Sequence, residues 1–182
     1  MSDALSAQRF SLMAEPHLDA AYNLARWLTR NPHDADDVVQ EAYLRAFRHY
    51  GGFRGGDGRA WLLTIVRNTC YTWLRQNRRG DREVEYNETE ASLDTQEADD
   101  APAHSADPQT LILRAEDKAR LEAAMWKLPP EFREILVLRE LEELSYKDIA
   151  AIAVIPIGTV MSRLSRARLQ LRRLLNAMEN GV

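Results

Sequence analysis

The sequence predicts an all-α chain of two small helical domains: an N-terminal bundle of three or four helices and a C-terminal helix-turn-helix. An acidic flexible linker joins them. Three observations carry this. Apolar residues recur at helical spacing through nearly every structured stretch, with no convincing strand alternation. Breakers divide those stretches at Asn31-Pro32, at the glycines between Gly51 and Gly58, and at Leu128-Pro129-Pro130. Residues 81–107 hold ten acids, one base (Arg82) and few large apolar side chains. Such a segment buries too little surface to offset chain entropy. The expected units are therefore 1–80, a linker over 81–107, and 108–182.

A first helix is expected over 7–29, with Phe10, Met13, Leu18, Ala21, Leu24, Ala25 and Leu28 near one face. Asn31 reads as an N-cap with Pro32 at the first helical position, opening a second helix to about Tyr50. Its inner stripe is Ala35, Val38, Val39, Ala42, Ala46 and Tyr50. A third helix covers about 59–79, its apolar side Leu62, Leu63, Val66, Cys70, Trp73 and Leu74. Beyond the linker a helix runs to about Lys127. The next carries Phe132, Ile135, Leu136 and Leu138 inward. Ser145 and Asp148 form a variant capping box that opens a short helix over 146–153. A turn at Val154-Ile155 leads to a last helix over 156–178.

Composition narrows the function classes. Of 182 residues, 45% are hydrophobic and 29% charged, as in a globular chain. No apolar run reaches the ~18 residues of a membrane span. The first residues lack the basic start and apolar core of a secretion signal, so the cytoplasm is the expected compartment. The single cysteine, Cys70, makes neither an internal disulfide nor a metal cluster. Net charge is −4, but residues 81–107 alone carry −9, leaving +5 on the rest. Arg supplies 21 of the 24 bases, which suits phosphate and base-edge contacts. An Arg-rich genome explains the same bias.

Three surfaces stand out. The last helix has an apolar seam (Val160, Leu164, Ala167, Leu171, Leu174, Leu175) opposite Gly158, Ser162, Ser165, Arg166 and Arg173. Five Arg and no acid lie between Val160 and Leu175. Small hydroxyls allow close approach to a major groove, and Arg pairs with guanine edges or phosphates. The alternative is a solvated basic surface helix. On the third helix, Trp61, Thr64, Asn68, Tyr71, Thr72 and Arg75 lie opposite the apolar side, with Arg78 and Arg79 beyond. Rings stack on unpaired bases and an amide reads a base edge. Phe53 and Arg54 are placed to close a pocket around an extruded base. The alternative makes Trp61 and Tyr71 members of a second packing layer. On the second helix, Asp37, Gln40, Glu41 and Leu44 form an acidic-polar patch around an exposed leucine, which reads as a protein contact. The enzyme alternative is a metal-dependent hydrolase using Asp34, Asp36, Asp37 and Glu41. No further ligands or general base support it, and helix N-termini commonly carry acids. Histidines 17, 33, 49 and 104 lack paired ligand spacing. No phosphate loop or nucleophile elbow is present. Neither a metal, a cofactor nor a small-molecule substrate is expected.

The residues also carry a family resemblance. DADDVVQEAYLRAFR, over 34–48, resembles region two of RNA polymerase sigma factors, and FRGGDGRAWLLTIVRNTCYTWLRQNRR, over 53–79, looks like its continuation. LPPEFREILVLRELEELSYKDIAAIAVIPIGTVMSRLSRARLQL, over 128–171, is similar to region four. A short linker with no intervening domain is the layout of the small extracytoplasmic-function (ECF) group. The resemblance implies a transcription initiation factor, not an enzyme. It places Asp37, Gln40, Glu41 and Leu44 on core RNA polymerase, and Phe53, Arg54, Trp61, Asn68, Thr72 and Arg75 on the minus-ten element. It places Thr159, Met161, Ser162, Arg163, Ser165 and Arg166 on the minus-thirty-five element. The implied partners are the two largest polymerase subunits, promoter DNA and an anti-sigma factor, which can hold such a protein at the inner membrane face without inserting it. Val154 stands where family turns often carry Gly, and Met161 where many relatives carry Lys or Arg.

Overall fold

The computed structural model describes residues 2–80 and 108–179. The expected linker, 81–107, lies outside the described residues. Those residues form helices α1 (Ser2–Ala14), α2 (Leu18–Thr29), α3 (Pro32–His49), α4 (Gly58–Gly80), α5 (Pro108–Trp126), α6 (Pro130–Leu136), α7 (Tyr146–Ala153) and α8 (Ile157–Glu179). No strand occurs among them.

The expected first helix is two helices. A 3₁₀ turn, Glu15–His17, separates α1 from α2. Pro16 lacks an N–H and its ring crowds the carbonyl one turn back, so a continuous α-helix cannot pass through it. α2 ends where Arg30 turns left-handed (φ 67°) and its N–H donates to the Arg26 carbonyl at 3.0 Å. Asn31 caps α3 as its chemistry requires: its side-chain oxygen accepts from the His33 and Asp34 N–H groups. Gly55 and Gly56 sit at φ 86° and 103°, where a side chain would be strained. Asp57 then caps α4, accepting from the Arg59 N–H at 3.0 Å and the Ala60 N–H at 3.2 Å.

α2, α3 and α4 pack around Ala21, Leu24, Ala25, Leu28, Ala35, Val38, Ala42, Ala46, Leu62, Leu63, Val66 and Cys70, all buried. Alanine at five of these positions lets the helix axes come close. α1 lies across one end. Phe10 meets Tyr43, Phe47 and Tyr50 edge-on, and the Tyr43 hydroxyl donates to the Ala14 carbonyl at 3.0 Å. Burial and the nearby Asp19 charge push the Tyr43 phenol up to about 12.

In the C-terminal half α6 continues into a π-helical turn, Val137–Leu141, which apolar periodicity did not signal. Ser145 caps α7 by accepting from the Asp148 N–H at 3.1 Å. α7 and α8 meet at 99°, the crossing of a helix-turn-helix. Between them Val154 takes the left-handed conformation (φ 56°, ψ 49°), and its N–H donates to the Ala150 carbonyl. The buried seam of α8 is Val160, Leu164 and Ala167. Leu171, Leu174 and Leu175 are only partly covered.

The two halves touch. Buried residues from both join one apolar cluster that runs from Ala14 to Ala167. α4 rests against α7, and α2 against α6.

Candidate nucleic-acid interface

α8 sends its two faces where the pattern expects them. Gly158, Met161, Ser162, Ser165, Arg166 and Arg173 are exposed, while Thr159 and Arg163 are half-buried. The Ser162 hydroxyl donates to the Thr159 carbonyl at 3.2 Å, and Arg166 Nε donates to the Ser162 carbonyl at 3.3 Å. These bonds draw the Arg166 guanidinium back along its own helix while leaving its face open. Arg168 is committed elsewhere: it pairs with Glu140 through both Nε and an η nitrogen, which raises its pKa. Among the five Arg of α8, Arg168 therefore carries a counter-ion that spacing did not reveal.

On α4, Asn68 and Arg75 are exposed and Thr72 is half-buried. The Thr72 hydroxyl donates to the Asn68 carbonyl at 2.9 Å, and Arg75 donates to the Thr72 hydroxyl at 3.3 Å. Trp61 is half-buried against the core, with Phe53 at 4.9 Å between ring centroids and Tyr50 stacked on Phe53 at 6.0 Å. The three rings form a wall at the start of α4. Arg54 beside it is exposed. Gly58 lies under Met13: a Cβ there would sit 2.9 Å from the Met13 sulfur, so a larger residue would make the Met13 side chain shift.

Tyr71 departs from the expected free face. Its hydroxyl donates to Glu134 at 2.7 Å, and the Arg67 guanidinium lies 4.6 Å over its ring. The packing-layer alternative holds for Tyr71, whose phenol is pushed well above its ordinary range by burial and by the Glu134 charge. The Arg78 and Arg79 side chains lie outside the described residues.

On α3, Asp37 and Gln40 are exposed, Leu44 is 52% exposed, and Glu41 pairs with Arg45 at 2.7 Å. Phe47, one turn beyond Leu44, is 43% exposed and enlarges the apolar part of this patch. Asp34 is drawn up in pKa by partial burial and by Asp37. Among the described residues no group of three or more His, Cys, Asp or Glu is arranged to hold a metal ion, and no single helix is long and apolar enough to cross a membrane.

Residues absent from the expected surfaces sit where the halves meet. Glu134 is fully buried and accepts from Arg67 Nε and from Tyr71. Glu142, also buried, accepts from Arg59 at 2.6 Å and from Asn23 at 3.1 Å. Arg133 Nε donates to the Trp27 carbonyl at 2.8 Å, and Trp27 packs on Trp126 at 4.7 Å. Glu134 had a legible signal, an acid one residue from Ile135 on a buried face. Glu142 had none, because the π turn sets its direction.

α8 thus presents an exposed face of hydroxyls and Arg, and α4 a face of aromatic rings and an amide. Residues 13–80 match the family model for Sigma-70 region 2, and residues 118–171 match Sigma-70, region 4. The chain is 37% identical over 160 residues to the ECF RNA polymerase sigma factor SigE of Mycolicibacterium smegmatis, covering 88% of this chain and 59% of that one. It is 39% identical over 136 residues to the RNA polymerase sigma-H factor of Pseudomonas aeruginosa, covering 74% and 69%. To the ECF RNA polymerase sigma-E factor of Escherichia coli it is 37% identical, covering 74% and 70%. The chain thus spans about three fifths of the SigE relative's length. Among solved structures it resembles the sigma factor RpoE of Bartonella quintana, in complex with the anti-sigma factor NepR. The TM-score is 0.66 at 30% identity, covering 93% of this chain and 96% of that one. It also resembles CnrH, in complex with the cytosolic domain of CnrY, with a TM-score of 0.62 at 25% identity, covering 96% and 95%. The class these matches define is the sigma-70 protein with regions two and four, and the chain belongs to its ECF RNA polymerase sigma factors.

Proposed function

We propose that this protein is an alternative sigma factor that binds core RNA polymerase, recognises two promoter elements and starts transcription of a specific regulon under the control of an anti-sigma factor. The observation that carries the reading is the pairing, in one chain, of a region-two match bearing the Phe53–Trp61–Asn68 face and a region-four match bearing the bare α8 face. One surface suits unpaired bases and the other intact duplex.

Asp37, Gln40, Glu41 and Leu44 grip the largest polymerase subunit, and region four reaches the other large subunit. Once the duplex opens, a non-template base flips into the pocket by Phe53, Arg54 and Trp61, where the Asn68 amide reads its edge. Thr72 and Arg75 hold the adjoining backbone. Thr159, Met161, Ser162, Arg163, Ser165 and Arg166 enter the major groove of the minus-thirty-five element. Met161 gives an apolar contact where many relatives place a cation. Tethering across 81–107 makes the second contact intramolecular, with effective concentrations on the order of mM, and the −9 charge of that segment discourages DNA binding by the chain alone. The functional units are 1–80 and 108–182. The protein itself makes or breaks no bond. It works in the cytoplasm, held near the inner membrane face when its anti-sigma factor is anchored there.

Transcription in vitro with bacterial core polymerase, followed by genome-wide mapping of start sites, tests the reading. New start sites that share two upstream elements are expected. Core enzyme that initiates nowhere new on adding the protein refutes it.

A further inference from the structure

α1 meets the wall of rings at two points. Phe10 and Met13 are spaced to share one face of this helix. The Phe10 ring meets Phe47 at 5.4 Å, Tyr50 at 5.5 Å and Tyr43 at 6.3 Å between centroids, each edge-on. Tyr43 and Phe47 belong to α3, whereas Tyr50 opens the 3₁₀ turn that leads to Phe53. Met13 reaches the far end of the same loop. Its sulfur and Cγ lie 2.9 and 3.0 Å from where a Gly58 Cβ would stand, and the Phe53 Cζ lies 3.9 Å from that point.

Between these two points the chain has little stiffness of its own. Four of residues 51–57 are glycine. Phe53 is held by its N–H, which donates to the Tyr50 carbonyl at 2.9 Å, and by the Tyr50 and Trp61 rings. Tyr50 in turn rests on Phe10. Contacts therefore run without a gap from α1 through Tyr50 and Phe53 to Trp61.

We propose that α1 is a positioning element for the base pocket: Phe10 and Met13 clamp the two ends of the Gly-rich loop, so that Phe53 stands against Trp61 before a base arrives. The inference rests on the sigma reading for the base, though the clamp itself does not. A base that leaves its stack has already lost stacking energy. A wall that also had to be ordered at that moment would bind it more weakly, and a wall already formed avoids that cost. Edge-on rings prefer particular angles, so a series of them fixes orientation as well as filling space. The unbranched Met13 side chain adapts to the irregular gap over Gly58. Phe10 precedes residue 13, where the region-two match begins, so its role comes from these contacts alone.

The test uses the full chain and two variants, Phe10→Leu and Met13→Ala, with circular dichroism to show retained helix. Amide exchange, followed by mass spectrometry, needs neither polymerase nor DNA. Exchange over residues 50–58 should quicken in both variants while the buried parts of α3 and α4 keep wild-type rates. With saturating core polymerase on a promoter that wild type opens, closed-complex binding should be unchanged. Opening, read by permanganate, should slow about tenfold in each variant, the loss expected when the wall is formed in about one molecule in ten. Unchanged exchange over 50–58 overturns the proposal, and so does faster exchange throughout the bundle, which marks a merely structural role. Faster loop exchange with wild-type opening overturns it as well. Should a variant lose helix, wild type decides: a Phe53 amide that exchanges as fast as in an open chain overturns the clamp, and a protected one supports it. Should wild type open no promoter, the sigma reading has failed, and loop exchange alone decides the clamp.

Discussion

Val154 is a β-branched residue held at φ 56° and ψ 49° in the turn between α7 and α8. In that region an L side chain crowds the following carbonyl, which costs about 1–2 kcal/mol. The side chain is 73% exposed, so shortening it forfeits little apolar burial. Replacing Val154 with glycine removes the crowding. Glycine's extra freedom in the unfolded chain opposes this by about 0.5–1 kcal/mol. The difference is a gain of up to about 1 kcal/mol, or about 2–4 °C in Tm for a chain of this size. Urea unfolding followed by helical circular dichroism measures it directly. The midpoint should rise with the slope unchanged. Val154→Ala keeps a Cβ in the same conformation and should gain less than the glycine variant. A glycine variant with an equal or lower midpoint refutes the reasoning, because the turn would then carry no strain to release.

Arg166→Ala should weaken promoter binding by the holoenzyme by about 1–3 kcal/mol through a lost base contact; equal affinities in a filter or mobility-shift assay count against that role. Asn68→Ala should impair promoter opening more than closed-complex binding, and unchanged permanganate reactivity in the bubble removes the assignment. Gln40→Ala combined with Glu41→Ala should lose core polymerase, a result contradicted by normal co-purification. Burial, reinforced by the Glu134 charge, raises the Cys70 thiol from 9.0 to about 12. The folded chain therefore holds that proton more tightly than the unfolded one. The resulting stability is complete below pH 9.0 and falls as pH climbs toward about 12, by at most ~1.4 kcal/mol per pH unit. Cys70→Ala should flatten that decline in urea midpoints, and rapid reaction of native Cys70 with a thiol reagent at neutral pH would show the burial to be wrong.

Helix content, caps and buried faces were legible because they are local. Asn31 and Ser145 cap through their own side chains, and the α8 seam of Val160, Leu164 and Ala167 follows from 3.6-residue periodicity. The exposed face of α8 was legible for the same reason, since its exposure is the complement of the seam. Pro16 was a local signal too, outweighed by the apolar rhythm on both sides of it. The π turn after α6 was not legible, because an extra residue in a helical turn leaves the surrounding pattern almost intact.

Within each helix, then, residue spacing determined the element, its cap and the side it buries. Whether a given charge met a counter-ion depended on helices far apart in the chain. Tyr71 and Asn68 lie on neighbouring faces of one helix, yet Tyr71 is taken by Glu134 and Asn68 stays exposed. Arg67 and Glu134 are 67 residues apart, and Arg59 and Glu142 are 83 apart. Coulomb attraction at contact distance depends on where two groups sit in space, and only the packing of α4 against the C-terminal helices brings these together.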